Sequence, residues 1–109
     1  MSSVTFYAND GMSASGFTYR QNERRFGGHF CAARRGIRLG TEYVLTSRSG
    51  NRVRLIVADH IGHGSDFDIP PQIAYKLMGK RWRVVGRIEC KAHQVGWREV
   101  CKGKHKHGK

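Results

Sequence analysis

The sequence predicts a small, mainly β domain, closed as a barrel and carrying one or two short helices. Three observations lead there. The chain has 109 residues, room for one ordinary domain, and 39% are hydrophobic, enough for one modest core. Short β-branched and aromatic runs recur along it, as half-buried strands require. Fourteen glycines favour many tight turns over long helices, and short strands joined by such turns suit a small closed barrel.

The elements follow in order. Val4-Thr5-Phe6-Tyr7 reads as a first short strand, and Phe30 to Ala33 as a weaker second. Thr41–Thr46 and Arg52–Val57 are strands, and the Gly50 and Asn51 between them suit a hairpin loop. A short helix is predicted next. Asp68 would cap it, Pro70 and Pro71 would occupy its first turn, Ile73 and Leu77 would share one face, and Gly79 would end it. Arg81 to Ile88 alternates in part and reads as a late strand. Residues 1–101 form the predicted domain, and 102–109, without an apolar residue after Cys101, a basic and mobile tail.

Charge divides the chain more sharply than hydropathy does. Lys and Arg total 20 against 8 Asp and Glu, a formal +12, which calls for an anionic partner. Residues 59–75 are the exception: they hold three Asp, two His and no Lys or Arg. Thirteen of the cations are Arg, whose forked donors match phosphate and carboxylate. Arg24, Arg25, Arg34, Arg35 and Arg38 interleave with Phe26 and Phe30, which also fits a nucleic-acid surface, the weaker alternative. No apolar run is long enough to span a bilayer, and the opening MSSVTFYAND lacks the basic and apolar regions of a secretory signal. Carriage in a phage particle or another non-standard export route is the corresponding expectation.

Asp59 ends the apolar run Leu55-Ile56-Val57-Ala58, where a partly desolvated carboxyl can serve as a general acid or instead start a turn. Asp66 and Asp68 follow at seven and nine residues, and paired carboxylates are what glycoside cleavage uses. The bland roles of these two are a solvated side chain and a helix cap. His60 and His63 border a Gly-rich turn, within reach of Asp59 in sequence, as His29 would be through the fold. Tyr7, Trp82 and Trp97 could stack on sugar faces or simply pack. Cys31, Cys90 and Cys101 are an odd set, read as free thiols with one bridge as the competitor. Cys90, His93, Cys101 and His105 match a zinc pattern only loosely, so neither metal nor cofactor is expected.

A family resemblance emerges from an ordered set of motifs: Phe6-Tyr7-Ala8, Ser13-Ala14-Ser15-Gly16, Cys31-Ala32-Ala33, Leu39-Gly40-Thr41, Val57 to Gly62 and Asp66 to Ile69. Together, over about residues 4–90, they resemble the double-psi β-barrel domain of the rare-lipoprotein-A-like, barwin and expansin superfamily. The Val57–Ile69 segment is also similar to one in the catalytic domain of membrane-bound lytic transglycosylase A. The resemblance implies a six-stranded double-psi β-barrel with a groove for a glycan strand. It implies peptidoglycan or another anionic cell-wall polymer as partner, and lytic transglycosylase chemistry with Asp59 as acid and then base and Asp68 as positioning or stabilising group. Tyr7, Ser15, Arg34, His60, His63, Asp66 and Trp82 would line the groove of a monomer. Arg34 stands where family members carry His, and Phe17 where they often carry Glu. Those departures favour the alternative, an expansin-like barrel that binds an anionic wall polymer without cutting it.

Overall fold

Six short strands close on themselves because none can bury its apolar face alone. In the computed structural model, which describes residues 1–7, 11–62 and 64–103, they are β1 (Ser2–Phe6), β2 (Phe30–Arg34), β3 (Thr41–Thr46), β4 (Arg52–Ile61), β5 (Phe67–Ile69) and β6 (Arg87–Trp97). Around the barrel the order is β1-β5-β2-β4-β3-β6, and β6 returns to β1. β1 runs parallel to β5 and β2 parallel to β4, and the other pairings are antiparallel.

The interior is apolar. Val4, Cys31, Ala33, Leu45, Val53, Leu55, Val57, Phe67, Ile69 and Cys90 point into it, and Ile73, Ala74 and Leu77 of helix α2 (Pro71–Met78) close one end. A second, smaller cluster lies outside the barrel wall, where Phe30, Ile56 and Ala58 meet Tyr19 and Val100 beneath helix α1 (Tyr19–Phe26).

The hairpin strands and α2 stand where the sequence puts them, and the predicted Gly79 stop holds, with its N–H on Tyr75 O. Three features differ. Helix α1 is additional. Its sequence YRQNERRF is polar, and it is held by a capping box between Thr18 and Gln21 and by Gly27 in the left-handed region at its end. Asp68 does not cap α2: the N-cap is Pro70, with no side-chain bond, and Asp68 lies inside strand β5. The expected strand over Arg81–Ile88 is instead a 3-10 turn (Gly79–Arg81) and a helical turn, α3 (Trp82–Val85), with β6 beginning at Arg87. Trp82 decides that outcome, since its ring packs edge-on against Phe6 at 6.0 Å and draws the chain around the barrel end. β6 then continues to Trp97 and closes the barrel through β1 and β3.

Gly40 locks the closing strand. Its N–H donates to Val57 O at 2.8 Å, and Arg98 N–H donates to its carbonyl at 3.0 Å. Its φ is +96°, and a Cβ there would lie 2.1 Å from Arg98 O. Gly40→Ala is therefore expected to cost about 3 kcal/mol, from left-handed strain plus overpacking. Urea denaturation of the variant against the parent checks this, and a loss below about 1 kcal/mol would contradict the lock.

Candidate functional site

A register slip builds the site. Cys31 pairs with Val57, but the next residue, Ala32, pairs with Asp59, so Ala58 is the extra residue of a β-bulge. Ala58 packs into the outer cluster, and Asp59 is turned to the same outer side. Ala32 is also the partner of Asp68 on β5, and Asp68 in turn is the partner of Thr5 on β1. Thr5, Asp68, Ala32 and Asp59 thus form one transverse row on the outer wall. The two acids are separated by two strand spacings, roughly 10 Å at Cα.

Each acid is already engaged. Asp59 Oδ1 accepts the Ala14 N–H at 2.7 Å, and Oδ2 accepts the Tyr19 hydroxyl. Asp68 Oδ1 accepts Thr5 Oγ1–H at 2.8 Å. Ala32 between them is covered, at 1% exposure. Tyr7 stands beside this cover. Its ring meets Tyr19 edge-on at 5.2 Å, and its hydroxyl is buried with no hydrogen-bond partner among the described residues. Burial pushes the Tyr7 phenol above its ordinary value, and the neighbouring Tyr19 and Cys31 add to the effect. Burial likewise raises Tyr19, followed by its bond to Asp59 and the charge of that carboxylate.

The loop that delivers Ala14 is held from beneath. Ser13 Oγ–H donates to Phe17 O at 2.6 Å, so its lone pairs receive Ser15 Oγ–H at 2.7 Å and Asn22 Nδ2–H at 2.9 Å. Ser15 is therefore buried, while its backbone binds Ala58 O and Lys102 N–H. Arg25 clamps the same loop to the helix and the chain end. Its guanidinium lies 3.6 Å from the Phe17 ring centre and 4.7 Å from that of Phe26, and it donates to Asn22 Oδ1 and Val100 O.

The other sequence-selected residues are dispersed. Arg34 lies exposed, with its guanidinium 3.8 Å from Asp66. Asp66 Oδ2 accepts the Ser3 N–H at 3.0 Å, which ties it to β1. His60 donates Nε2–H to Ile37 O at 2.9 Å. Trp82 packs edge-on against Phe6 at the barrel end rather than in the acid row. His63 and His105 lie outside the described residues. His29 is held between Arg54 O and Lys76 Nζ. Of the basic patch read from the sequence, all five arginines are exposed, but Phe30 is buried, Arg25 stacks on Phe17 and Phe26, and Arg38 stacks on Trp97 at 4.1 Å.

Cys31 and Cys90 are free thiols buried in the barrel, and Cys101 packs on the outer cluster. Burial, then the Asp68 charge, pushes the Cys31 thiol up, and burial, then Glu89, pushes Cys90 up to about 11. Among the described residues no three His, Cys, Asp or Glu side chains gather as metal ligands.

Tyr19 is the participant the sequence reading missed. The signal was present, since Thr18 and Gln21 mark a helix start that would place Tyr19 in its first turn. Tyr19→Phe is expected to cost about 1 kcal/mol, the worth of one hydrogen bond to a half-exposed carboxylate. The raised phenols give a sign. The native state keeps both protons at pH values where an unfolded tyrosine, near 10, has lost its own, so stability falls as pH rises above about 10. In the folded protein at about pH 11, Tyr7→Phe/Tyr19→Phe is expected to show the parent's phenolate absorbance at 295 nm. A smaller amplitude in the double variant would refute the burial of these phenols.

No protein-family model and no curated protein sequence matches the chain. Solved structures do match in shape. Cerato-platanin 3 from M. perniciosa superposes with a TM-score of 0.65 at 14% identity, over 87% of this chain and 93% of that one. Cerato-platanin 2 from M. perniciosa gives 0.65 at 19% identity, over 87% and 94%. The solution structure of the fungal elicitor cerato-platanin gives 0.61 at 18% identity, over 86% and 92%. Cerato-platanins are double-psi β-barrels of the expansin-like and barwin-like type, and this chain shares that fold.

Proposed function

We propose that this protein is a non-catalytic, expansin-like binder of an anionic cell-wall polysaccharide, with peptidoglycan the polymer to test first. The observation that carries the reading is the state of the acid row. Both oxygens of Asp59 are occupied by Ala14 N–H and the Tyr19 hydroxyl, Asp68 is held by Thr5, and the wall between them is covered by its own side chains. A general acid must present a proton to the glycosidic oxygen, and a second group must face the same bond. This row instead offers part-exposed, fixed carboxylate acceptors beside Thr5, groups that can receive sugar hydroxyls. The shape shared with cerato-platanins, and Arg34 and Phe17 at two groove positions of the family pattern, support the same reading. The basic surface around the row would draw in a polymer carrying carboxylate or phosphate.

The runner-up is lytic transglycosylase action, with Asp59 protonating the leaving oxygen and the sugar's own 6-hydroxyl closing the ring. One experiment separates the two. Purified sacculi are expected to retain the protein, to retain Asp59→Ala as well, and to release no sugars with either. Release of 1,6-anhydro muropeptides by the parent but not by Asp59→Asn, read by mass spectrometry, would establish the enzyme and overturn the binder. No retention of the parent would remove peptidoglycan as the polymer.

A further inference from the structure

The segment after α2 presents a second surface that the acid row does not use. Lys80, Arg81, Arg83 and Arg87 lie within eight residues, and all four are exposed. Between them Val84 is 82% exposed, the most exposed large apolar side chain among the described residues, and Val85 beside it is also exposed. A β-branched side chain left in water at the tip of a helical turn contributes nothing to the fold. Trp82 explains how it is held there: packed on Phe6, it fixes the turn to the barrel and leaves the two valines pointing away.

A cavity of about 790 Å³ adjoins this turn. Met78, Gly79 and Arg81 line it before the turn, and Arg87 and Ile88 after it. Leu77, Met78 and Ile88 give it apolar walls, while Arg48, Arg81 and Arg87 stand around it against one acid, Glu89. A cavity of this size accommodates a small ligand or part of a chain molecule. Exposed apolar residues ringed by cations, beside an apolar space with cationic edges, match one class of partner: an apolar body carrying an anionic head, arrayed as a surface.

We propose that the Gly79–Ile88 segment docks on an anionic lipid bilayer. Val84 and Val85 enter the interfacial layer, Lys80, Arg81, Arg83 and Arg87 lie among the headgroups, and the cavity behind them receives an acyl chain. Among the described residues no helix is long and apolar enough to cross a membrane, so the proposed contact is peripheral. The attraction of a cation to an acidic leaflet and the burial of apolar side chains are each modest, so affinity depends on both together. This inference is independent of the polysaccharide reading.

The test is cosedimentation with vesicles of phosphatidylcholine alone and with roughly a third phosphatidylglycerol. Binding is expected only to the second. Equal binding to both would overturn the proposal. Val84→Ser/Val85→Ser keeps the charge unchanged and is expected to weaken binding at least tenfold, whereas unchanged affinity would overturn it. Arg81→Ala/Arg83→Ala is expected to lose at least as much, while Arg24→Ala/Arg35→Ala, the same charge removed elsewhere, should stay within about twofold. Equal losses from the two Arg pairs would reduce the effect to diffuse attraction of a +12 chain and overturn a defined surface. Circular dichroism matching the parent confirms that each variant is folded.

Discussion

Asp59 is the joint at which three otherwise separate parts meet. It belongs to β4, takes its Oδ1 bond from the loop before α1 and its Oδ2 bond from the first residue of α1. Neither the loop nor the polar helix has an apolar face broad enough to dock by burial, since Tyr19 and Asn22 are the buried residues of α1. A charge-assisted pair of hydrogen bonds supplies the direction that hydrophobic contact cannot. The constraint begins one step earlier, in the bulge at Ala58. Strict alternation would turn Asp59 toward the barrel interior, among Val57, Cys31 and Phe67, where an unpaired carboxylate is not tolerated. The inserted residue puts it outside, and the outer layer assembles on it.

The outer layer is then secured from its back. Arg25 is held between two phenylalanine rings while its donors reach the buried Asn22 and the carbonyl of Val100. A solvated arginine could not do this; the stacked rings limit its freedom and direct its fork. Phe17 therefore has a structural role of its own. The family pattern often carries Glu there, and a carboxylate would pair with Arg25 without providing the flat face that it stacks on. Ser13, Ser15 and Asn22 complete a buried polar network whose donors are all directed, the condition under which such a network rigidifies its surroundings.

What the sequence revealed and concealed follows from the same physics. Thr41–Thr46 and Arg52–Val57 were legible because their β-branched runs face one core on one side, and α2 was legible because Ile73 and Leu77 share a face between Pro and Gly signals. β6 was concealed because Lys91, His93 and Gln94 occupy positions on a strand whose outer side meets water, which leaves little apolar rhythm. Arg81 to Val85 misled for the opposite reason: Trp82, Val84 and Val85 have strand chemistry, but only Trp82 finds a core to pack against. Asp59 was legible as an acid at a strand end. Its pairing with Tyr19 was not, because it depends on one extra residue in one strand and on a helix whose only strong signals are its caps. Asp68 shows the same limit, for a carboxylate two residues before a proline has the spacing of a cap and here serves a strand pair with Thr5.

The acid row and the basic turn are also linked through the sheet. Thr5 pairs with Asp68 on one side and with Arg87 on the other, so a single transverse line runs Arg87, Thr5, Asp68, Ala32, Asp59 across five adjacent strands. Some cations are engaged within the molecule: Arg25 with its rings, Arg54 and Arg98 with Glu42, Arg38 with Trp97 and Arg83 with Trp82. The net charge of +12 does not reveal the Gly79–Ile88 end, where exposed cations crowd around exposed valines. Polarity along that line gives the barrel a direction. Its acceptors and ring edge lie toward Asp59, and its exposed positive charge lies toward Arg87. A partner approaching the barrel meets two chemistries one strand apart, and Thr5 is the residue at which they divide.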